Sequence, residues 1–312
     1  MPSNDPNTLH VLCRTLRTQL AKGKVIPFLG AGVNRCDRDS DDWLAEGFLP
    51  DGGELATHLA REYLGDESGA TDLLRVAQHV SLATGGDADL RETLHALFDG
   101  DHRANRVHLL LAQIPGRLRE SSPVAPCPLI VTTNYDDVLE RAFAAADEEL
   151  DVVYYEAQKD EAGAYVHVRP DGERARIEGH TDYRFDLPRR TLLLKLHGAF
   201  DRGDETRDSY VITEDDYIDY LAHESALRLI PAQLMACMQT SHFLFLGYGM
   251  RDWNLRVILR YAWSQQGPHR RGSWAIQKRP DPIDQRFWQR HNVEIYDVLL
   301  EEWVEAMNGE LG

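Results

Sequence analysis

The feature that most restricts the fold of this chain is a set of short apolar runs that each end in a glycine or polar turn and lead into a helical pattern. Four such runs are Val25–Leu29, Leu129–Thr132, residues 192–196 and His242–Leu246. Strands that alternate with helices in this way predict an α/β protein with a doubly wound parallel sheet. In an open sheet of this kind, ligands bind outside the carboxyl ends of the strands. We therefore expect the four turns to meet at one crevice.

Two long segments between the predicted strands indicate insertions into one domain. Residues 37–119 contain several helical patterns separated by glycine-rich turns, and they are too long for one crossover. We interpret them as a helical insertion that packs over the first glycine turn. Residues 165–177 alternate in polarity around a Pro-Asp-Gly turn, which predicts a β-hairpin within an insertion at about residues 151–190. The prediction is a single domain over residues 1–312.

The first strand run ends at a glycine turn of the kind that binds phosphate. Gly30, Ala31 and Gly32 follow it directly, and the order strand, glycine turn and helix start directs backbone N–H groups at an anion. Arg35 replaces the third glycine of the dinucleotide fingerprint, and no lysine followed by Ser or Thr makes a triphosphate loop. An ordinary strand-to-helix turn is the alternative. Pro27 has no N–H to donate, which predicts an irregular or edge position for this run.

Composition limits the partners and the compartment. The net charge of −17 argues against a surface that binds nucleic acid directly through its phosphates. No apolar run reaches the length of about 18 residues that suggests a membrane span, and the N-terminus lacks a signal pattern, so we expect a cytoplasmic protein without a membrane partner. The four cysteines are scattered without metal-ligand spacing, which predicts reduced thiols and no metal site.

The motifs at the four strand ends resemble those of the sirtuin-like superfamily. In order and spacing, GAGVN at Gly30, TTNYD at Thr132, KLHG at Lys195 and GYGMRD at Gly247 are similar to its prokaryotic branch of NAD-cleaving defence proteins, over about residues 20–300. The chain departs from the deacylases because it lacks their zinc module of paired CxxC motifs. It also lacks the PDFR-type loop and has Asn34 where many members have Ser. The resemblance implies a Rossmann-like NAD-binding fold and argues against protein deacylation.

The resemblance also implies an activity and its control. It suggests an NAD+ glycohydrolase that releases nicotinamide and a linear or cyclic ADP-ribose product, with NAD as substrate and no metal. As an antiviral defence effector, such an enzyme depletes cellular NAD and needs an off state. Because no sensor domain is evident in the sequence, we expect control by a homo-oligomer or by a partner defence protein, which can be an ATPase translocase, an Argonaute-type protein or a phage trigger.

Three polar residues at the strand ends are the candidate catalytic groups. Cleavage of the nicotinamide bond passes through an oxocarbenium-like state, which requires oriented polar groups and a base for the incoming water. His197 is the predicted base because the pKa of a free imidazole is close to neutrality. Asn134 can donate and accept, so it can position the water or a ribose hydroxyl, and Asp136 can orient either group or stabilise the cation. The plainer alternatives are a core histidine and an Asn134 that caps the helix beginning near Asp137.

The other turn residues are predicted to bind the rest of the dinucleotide. Gly30, Ala31, Gly32 and Asn34 would hold the diphosphate, and Thr132 and Thr133 offer hydroxyls at the crevice. The resemblance places Gly247 and Gly249 at the adenosine end, where Asp252 would reach a ribose hydroxyl or would instead cap the following helix.

Other functions remain possible from the sequence. The main alternative is a regulatory module that binds NAD or ADP-ribose without cleaving it, and a protein deacylase or ADP-ribosyltransferase is a weaker one. A dehydrogenase is disfavoured because no acidic residue ends a clear second strand at the usual interval of roughly twenty residues after the glycine turn.

Overall fold

A computed structural model describes residues 6–65, 70–121, 128–158, 163–177, 183–187, 189–222, 230–249, 253–264 and 271–312. The α-helices are α1 (Pro6–Leu20), α2 (Gly52–Leu59), α3 (Leu73–Thr84), α4 (Ala88–Phe98), α5 (Arg106–Ser121), α6 (Val138–Ala145), α7 (Glu214–Ala222), α8 (Ala232–Thr240), α9 (Trp253–Ser264), α10 (Pro282–Gln289) and α11 (Leu300–Leu311). The strands are β1 (Val25–Leu29), β2 (Leu129–Thr132), β3 (Leu150–Glu156), β4 (Ala164–Val168), β5 (Arg174–Ile177), β6 (Thr191–Lys195), β7 (Gly198–Ala199), β8 (Ser209–Tyr210), β9 (His242–Leu246), β10 (Ser273–Ile276) and β11 (Val293–Tyr296).

The main sheet has nine strands in the order β11-β10-β9-β1-β2-β6-β3-β4-β5. Its pairs are parallel from β11 to β3, and the β3-β4 and β4-β5 pairs are antiparallel. From β1 the chain adds β2 beside it, forms β3 to β5 at one edge, places β6 between β2 and β3, and then returns to the other side of β1 with β9. This reversal is the topological switch point at which open α/β sheets bind ligands. The predicted Rossmann-like α/β class is confirmed.

Helices cover both faces of the sheet because the strands are apolar on both sides. Along β1, Ile26 and Phe28 belong to a core cluster that includes residues of α7 to α10. Val25 and Leu29 belong to a second cluster with residues of α1, α5, α6 and α11. The period of two along a strand sends alternate side chains to opposite faces, so a run that is apolar throughout needs cover on each face.

The edge position suggested by Pro27 is wrong. β1 lies at the centre of the sheet, and Pro27 is in register with Leu244 of β9. The pairing of β1 with β2 begins only at Phe28, opposite Val131. A proline can lie in a central strand where no neighbouring strand needs a hydrogen bond from its backbone nitrogen.

Strand β3 was not predicted, and it connects the predicted hairpin to the main sheet. It pairs in parallel with β6 and antiparallel with β4, which is the first strand of the predicted hairpin. Its sequence, LDVVYYE, has acidic residues near both ends and follows an acidic turn, so the apolar pattern is short. The hairpin therefore extends the main sheet.

The residues between β1 and β2 form α2 to α5 and a separate hydrophobic cluster. The glycine turn itself continues as a short 3₁₀ helix, Ala31–Arg35, rather than as an α-helix. Helix α2 begins with a capping box of Asp51 and Glu54, and it continues into one turn of π-helix, Ala60–Leu64. Leucines and alanines of α2 to α4 pack with Phe200, Tyr210 and Ile212, which follow β6. These helices thus contact the region beyond the carboxyl ends of β2 and β6.

Two expectations from composition can be compared with the described part of the chain. Its helices include none that is both long and apolar enough to cross a membrane. Cys13 and Cys36 are buried free thiols, and Cys237 is a partly buried one. Cys127 lies outside the described residues.

Candidate functional site

A deep cleft of about 2170 Å³ opens at the carboxyl ends of the central strands. One wall is formed by α2, the start of α3 and the segment that precedes them, and another by residues near the ends of β10 and β11. The volume exceeds the range of about 300–1,000 Å³ that is typical for small-ligand pockets, so an extended ligand fits. The predicted site residues that line this cleft are Gly30, Ala31, Gly32, Asn34, Thr133, Asn134, Asp136, His197, Gly247 and Gly249. Asp252 lies outside the described residues, and Thr132 is not among the lining residues.

The first and last glycine turns meet because both lack side chains at the contact. A Cβ on Gly32 would lie 2.5 Å from the carbonyl oxygen of Gly247, and one on Gly30 would lie 2.7 Å from the Tyr248 ring. Gly247 has a φ of +60°, and a Cβ there would overlap the amide nitrogen of Val33. Gly30, Gly32 and Gly247 therefore have to be glycines for the two turns to make this contact.

The backbone N–H groups of Gly30 and Gly32 already form hydrogen bonds within the protein. The Gly30 N–H donates to the Leu246 carbonyl at 3.1 Å, and the Gly32 N–H donates to the Gly247 carbonyl at 2.9 Å. The expectation that unpaired N–H groups of both glycines aim at a phosphate is therefore corrected. Two hydrogen bonds join the loop after β1 to the end of β9, and they form the floor of the cleft.

Asn34 connects the glycine turn to the helical wall. Its side-chain amide donates to the Pro50 carbonyl at 3.0 Å, and the residue is buried. Pro50 precedes Asp51, the cap of α2. In the same wall, Arg38 has a 2% exposed side chain and forms hydrogen bonds of 3.0 and 2.5 Å to the Glu54 carboxylate.

Asn134 has a buried acceptor that no described group satisfies. Its Oδ1 is buried without a hydrogen-bond partner, whereas its backbone N–H donates to the Thr132 hydroxyl at 3.0 Å. That hydroxyl in turn donates to the Leu29 carbonyl at 3.1 Å, so Thr132 ties β2 to β1 and is used inside the protein. A buried polar atom without a partner costs about 1–3 kcal/mol. Asn134 therefore offers an unfilled hydrogen bond to a ligand in the cleft.

The capping role considered for Asn134 is wrong, because Asp136 performs it. Helix α6 begins after Asp137, and the Asp136 carboxylate accepts a hydrogen bond of 3.1 Å from the Val138 N–H. Asp136 is 7% exposed and still lines the cleft. Its carboxylate thus has both a structural bond and access to a ligand.

Lys195 fixes the loop that carries Asn134 and Asp136, a role that the sequence motifs did not reveal. Its ammonium group donates to the carbonyls of Tyr135 and Asp136 at 3.1 and 2.6 Å. It also pairs with Glu140 at 2.5 Å, and burial raises the pKa of that carboxyl. Lys195 is 1% exposed and is paired with Glu140. Its charge is therefore neutralised within the protein and does not reach the cleft.

His197 is buried, and this changes the argument for its role. The residue is 3% exposed, and burial lowers the pKa of its imidazole to about 3. The expectation of a near-neutral pKa is therefore wrong. Removal from water disfavours the charged form, so the ring is neutral at ordinary pH and one nitrogen keeps its lone pair. His197 can accept a proton, but it is a weaker base than a solvated histidine.

Tyr217 and Tyr220 of α7 surround His197, and the sequence patterns did not identify either one. The Tyr217 hydroxyl lies 3.0 Å from Nδ1 and 3.3 Å from Nε2 of His197, and both tyrosine rings meet the imidazole edge to face. A helix-start signal was present, because the Thr213 hydroxyl and the Asp216 carboxylate cap α7. That signal positions Tyr217 on the first turn but does not indicate that it faces His197.

One group of possible metal ligands borders the cleft. The ligand atoms of Cys36, Asp37 and Glu301 lie within 4.8 Å of one another. Their bonds are already taken, because Glu301 accepts from the Asp37 N–H at 2.8 Å and Asp37 forms an ion pair with Arg106. Burial raises the pKa of the Cys36 thiol, which opposes the thiolate form that metals bind.

Comparison with known proteins supports the same family as the motifs. A family model described as a SIR2-like domain matches residues 128–296, which is just over half of the 312 residues. Defense-associated sirtuin 2 of Bacillus subtilis is 24% identical over 284 residues, which cover 88% of this chain and 23% of the relative. NAD(+) hydrolase ThsA of Enterococcus faecium is 25% identical over 264 residues, which cover 83% of this chain and 45% of the relative.

The chain thus spans about a quarter of one relative and less than half of the other. The matched segment begins just before β2 and ends with β11, so it contains the TTNYD, KLHG and GYGMRD motifs and all of the parallel strands except β1. By its strand topology, its ordered motifs and this match, the chain belongs to the family of SIR2-like domains.

Proposed function

We propose that this protein is an NAD+ glycohydrolase that converts NAD+ and water into nicotinamide, ADP-ribose and a proton. The observation that carries the proposal is the combination of Asn134 and His197 in one cleft, the first with an unfilled buried acceptor and the second with a neutral imidazole. The name of the Enterococcus faecium relative, an NAD(+) hydrolase, supports the same reaction. In this proposal, residues 1–312 act as one NAD-binding domain.

The dinucleotide would span the cleft from the glycine turns to Asn134. The diphosphate lies over Gly30, Ala31, Gly32 and Asn34, which all line this part of the cleft. The adenosine end lies towards Gly249, where an added Cβ would have no heavy atom of the described residues within 4 Å. A contact from Asp252 to the adenosine ribose and one from the Thr133 hydroxyl complete this arrangement.

The reacting end is the ribose that carries nicotinamide. Asn134 Oδ1 accepts a hydrogen bond from the attacking water or from a ribose hydroxyl, which satisfies its buried acceptor. The bond from the ribose carbon to the nicotinamide nitrogen breaks, and its electron pair neutralises the pyridinium. The water oxygen bonds to the same carbon and gives its proton to His197, which later releases it to solvent. Asp136, at the edge of the cleft, stabilises the cationic carbon.

Defence and control are part of the proposal. The name of the Bacillus subtilis relative, a defense-associated sirtuin, supports a role as an antiviral effector that depletes cellular NAD. Such an activity requires an off state. We propose control through a homo-oligomer or through a partner defence protein such as an ATPase translocase, an Argonaute-type protein or a phage trigger.

The low basicity of His197 favours one second candidate, a module that binds NAD or ADP-ribose without cleaving it. With a pKa of about 3, the imidazole is a poor proton acceptor while the cleft is empty. In the proposed enzyme, charge developing on the bound substrate and water compensates for this weakness. The two candidates differ in whether nicotinamide is released.

The test is to incubate the purified chain with NAD+ and to measure nicotinamide by chromatography and NAD binding by calorimetry. His197→Ala and Asn134→Ala are expected to lose about 100-fold or more in turnover while retaining NAD binding. His10→Ala, on the exposed face of α1 and away from the cleft, is the matched control and should behave as the unmodified chain. NAD that binds and stays intact would favour the module, and release that is equal in all variants would contradict the assigned roles.

A further inference from the structure

We propose that Arg202 is a positioning residue that fixes Asn134 relative to His197, and this inference rests on the proposed function. Asn134 lies in residues 133–137, which follow β2 and form the asparagine loop. His197 lies in residues 196–202, which follow β6 and form the histidine loop. The two side chains act on one substrate from different loops, so their separation depends on the contacts that join the loops.

Arg202, at the end of the histidine loop, binds Asp137, the last residue of the asparagine loop. The guanidinium donates from Nε to Oδ2 at 2.7 Å and from Nη2 to Oδ1 at 3.0 Å. Two hydrogen bonds from one planar group to both oxygens of a carboxylate fix orientation as well as distance. Arg141 of α6 also donates to Oδ1 of Asp137, at 3.1 Å. Loss of Arg202 should therefore loosen the contact between the loops without leaving Asp137 unpaired.

The sheet fixes the two loops only where they begin. The ladder between β2 and β6 extends to the hydrogen bond from the Leu196 N–H to the Thr132 carbonyl, at 2.9 Å. Further along the loops, the Phe200 N–H donates to the Tyr135 carbonyl, also at 2.9 Å. Arg202 adds a side-chain contact at the far end of both loops. The contacts of the loops themselves therefore set the distance between the two reacting side chains.

Arg202 also binds the end of helix α4, whose last residue, Phe98, lines the cleft. Its Nη1 donates to the carbonyl and the carboxylate of Asp99 at 2.5 and 3.0 Å. Its Nη2 donates to the carbonyls of Phe98 and Gly100 at 3.2 and 3.4 Å. The last carbonyls of a helix have no partner within the helix, and a basic side chain can satisfy them. One guanidinium therefore joins α4 to both loops.

Loss of Arg202 should affect turnover more than binding. The glycine turns follow β1 and β9, which are other strands of the sheet, so NAD should still bind there. A reacting group misplaced by about 1 Å can cost about 100-fold in rate. We therefore expect Arg202→Gln to lower kcat about 10- to 100-fold with little change in KM. Arg202→Lys keeps the charge but lacks the planar group with two donors, so it should recover only part of the rate.

The first measurement is hydrogen exchange of the Phe200 amide in the full chain, followed by NMR. This amide donates to the Tyr135 carbonyl of the other loop, so it exchanges faster when the loops separate. We expect exchange about 10-fold faster in Arg202→Gln. Arg207→Gln is the matched control, because it removes an arginine of the same segment that pairs with Asp204 at 3.0 Å. Its Phe200 amide should exchange within about twofold of the unmodified rate.

The second measurement is nicotinamide release, with Arg202→Gln introduced into the unmodified chain and into Asn134→Ala. Because Arg202 acts by placing Asn134, its substitution should lower kcat about 10- to 100-fold in the first background and less than about threefold in the second. A role in stability alone would lower kcat by the same factor in both. Arg207→Gln should release nicotinamide within about twofold of the unmodified rate.

Unchanged exchange of the Phe200 amide in Arg202→Gln would overturn the inference, and so would equal losses of kcat in the two backgrounds. Faster exchange in Arg202→Gln, when the unmodified chain releases no nicotinamide, would support the contact between the loops and count against the proposed function alone. If Arg202→Gln does not fold, Arg202→Lys replaces it in both measurements and is judged by the same outcomes.

Discussion

The contact between the two glycine turns gives the sharpest prediction about stability. Replacing Gly247 by Ala adds a methyl group where φ is +60° and where the Cβ would overlap the Val33 amide nitrogen. A left-handed backbone costs a residue with a side chain about 1–2 kcal/mol. Forcing a methyl into a packed contact costs about 1–3 kcal/mol more. The expected loss for Gly247→Ala is therefore about 2–5 kcal/mol of unfolding free energy.

Substitutions at three other glycines distinguish the cost of the left-handed backbone from the cost of packing. Gly32→Ala adds a Cβ 2.5 Å from the Gly247 carbonyl without a positive φ, so we expect only the packing cost of about 1–3 kcal/mol. Gly172 has a φ of +85°, and a Cβ there would have no heavy atom of the described residues within 4 Å, so for Gly172→Ala we expect a loss of only about 1–2 kcal/mol. Gly309→Ala lies in helix α11 in open space and should stabilise the chain by about 0.5–1 kcal/mol.

The assay is denaturant or thermal unfolding of the four variants, with NAD binding measured on the same samples. For a chain of this size, about 1 kcal/mol moves the melting temperature by about 2 °C, so Gly247→Ala should melt about 4–10 °C lower. NAD binding should weaken in Gly247→Ala and Gly32→Ala, because both disturb the floor of the cleft, and should not change in Gly172→Ala. A Gly247→Ala variant no less stable than Gly172→Ala would refute the packing argument.

Two further predictions concern buried ionisable groups. The pKa of His197 is lowered to about 3, so the unfolded chain binds the proton first as the pH falls below about 6.5, and the buried ring should cost about 2 kcal/mol of stability between pH 7 and pH 5. Unfolding measured at both pH values should therefore show a smaller loss in His197→Gln than in the unmodified chain, and equal losses would contradict the neutral buried ring. Lys195→Met should destabilise the chain by about 3–5 kcal/mol, because it leaves Glu140 without its partner. The double variant Lys195→Met/Glu140→Leu should recover in thermal unfolding the part of that loss that comes from the unpaired Glu140 carboxylate, although the Tyr135 and Asp136 carbonyls still lack their donor. A double variant as unstable as the single one would contradict the ion-pair explanation.

Much of the fold and the meeting of the strand-end turns could be predicted because the signals are local. Each of β1, β2, β6 and β9 is a compact apolar run with a turn directly after it. The topology of parallel sheets then brings the turns to one edge. Asn134 and His197 follow from the same argument, because each comes directly after the end of such a strand.

The residues that the sequence did not reveal act through contacts between distant segments. Lys195 is required by the carbonyls of Tyr135 and Asp136, and the sequence identified Gly247 as part of a ligand-binding turn but not as the residue that must lack a side chain beside Val33. Nothing near Lys195 in the sequence indicates which carbonyls it will reach. The pKa of His197 was mispredicted for the same reason, because its shift comes from burial by the whole fold.

The central claim is that NAD binds in this cleft with its nicotinamide ribose against Asn134 and His197. A crystal structure with a non-hydrolysable NAD analogue, in which a methylene group replaces the oxygen of that ribose ring, tests the claim most directly and does not depend on turnover. We predict the diphosphate over Gly30–Gly32 and a ribose hydroxyl or water within about 3 Å of Asn134 Oδ1. A dinucleotide bound elsewhere, or one whose nicotinamide end points away from both side chains, would contradict the account.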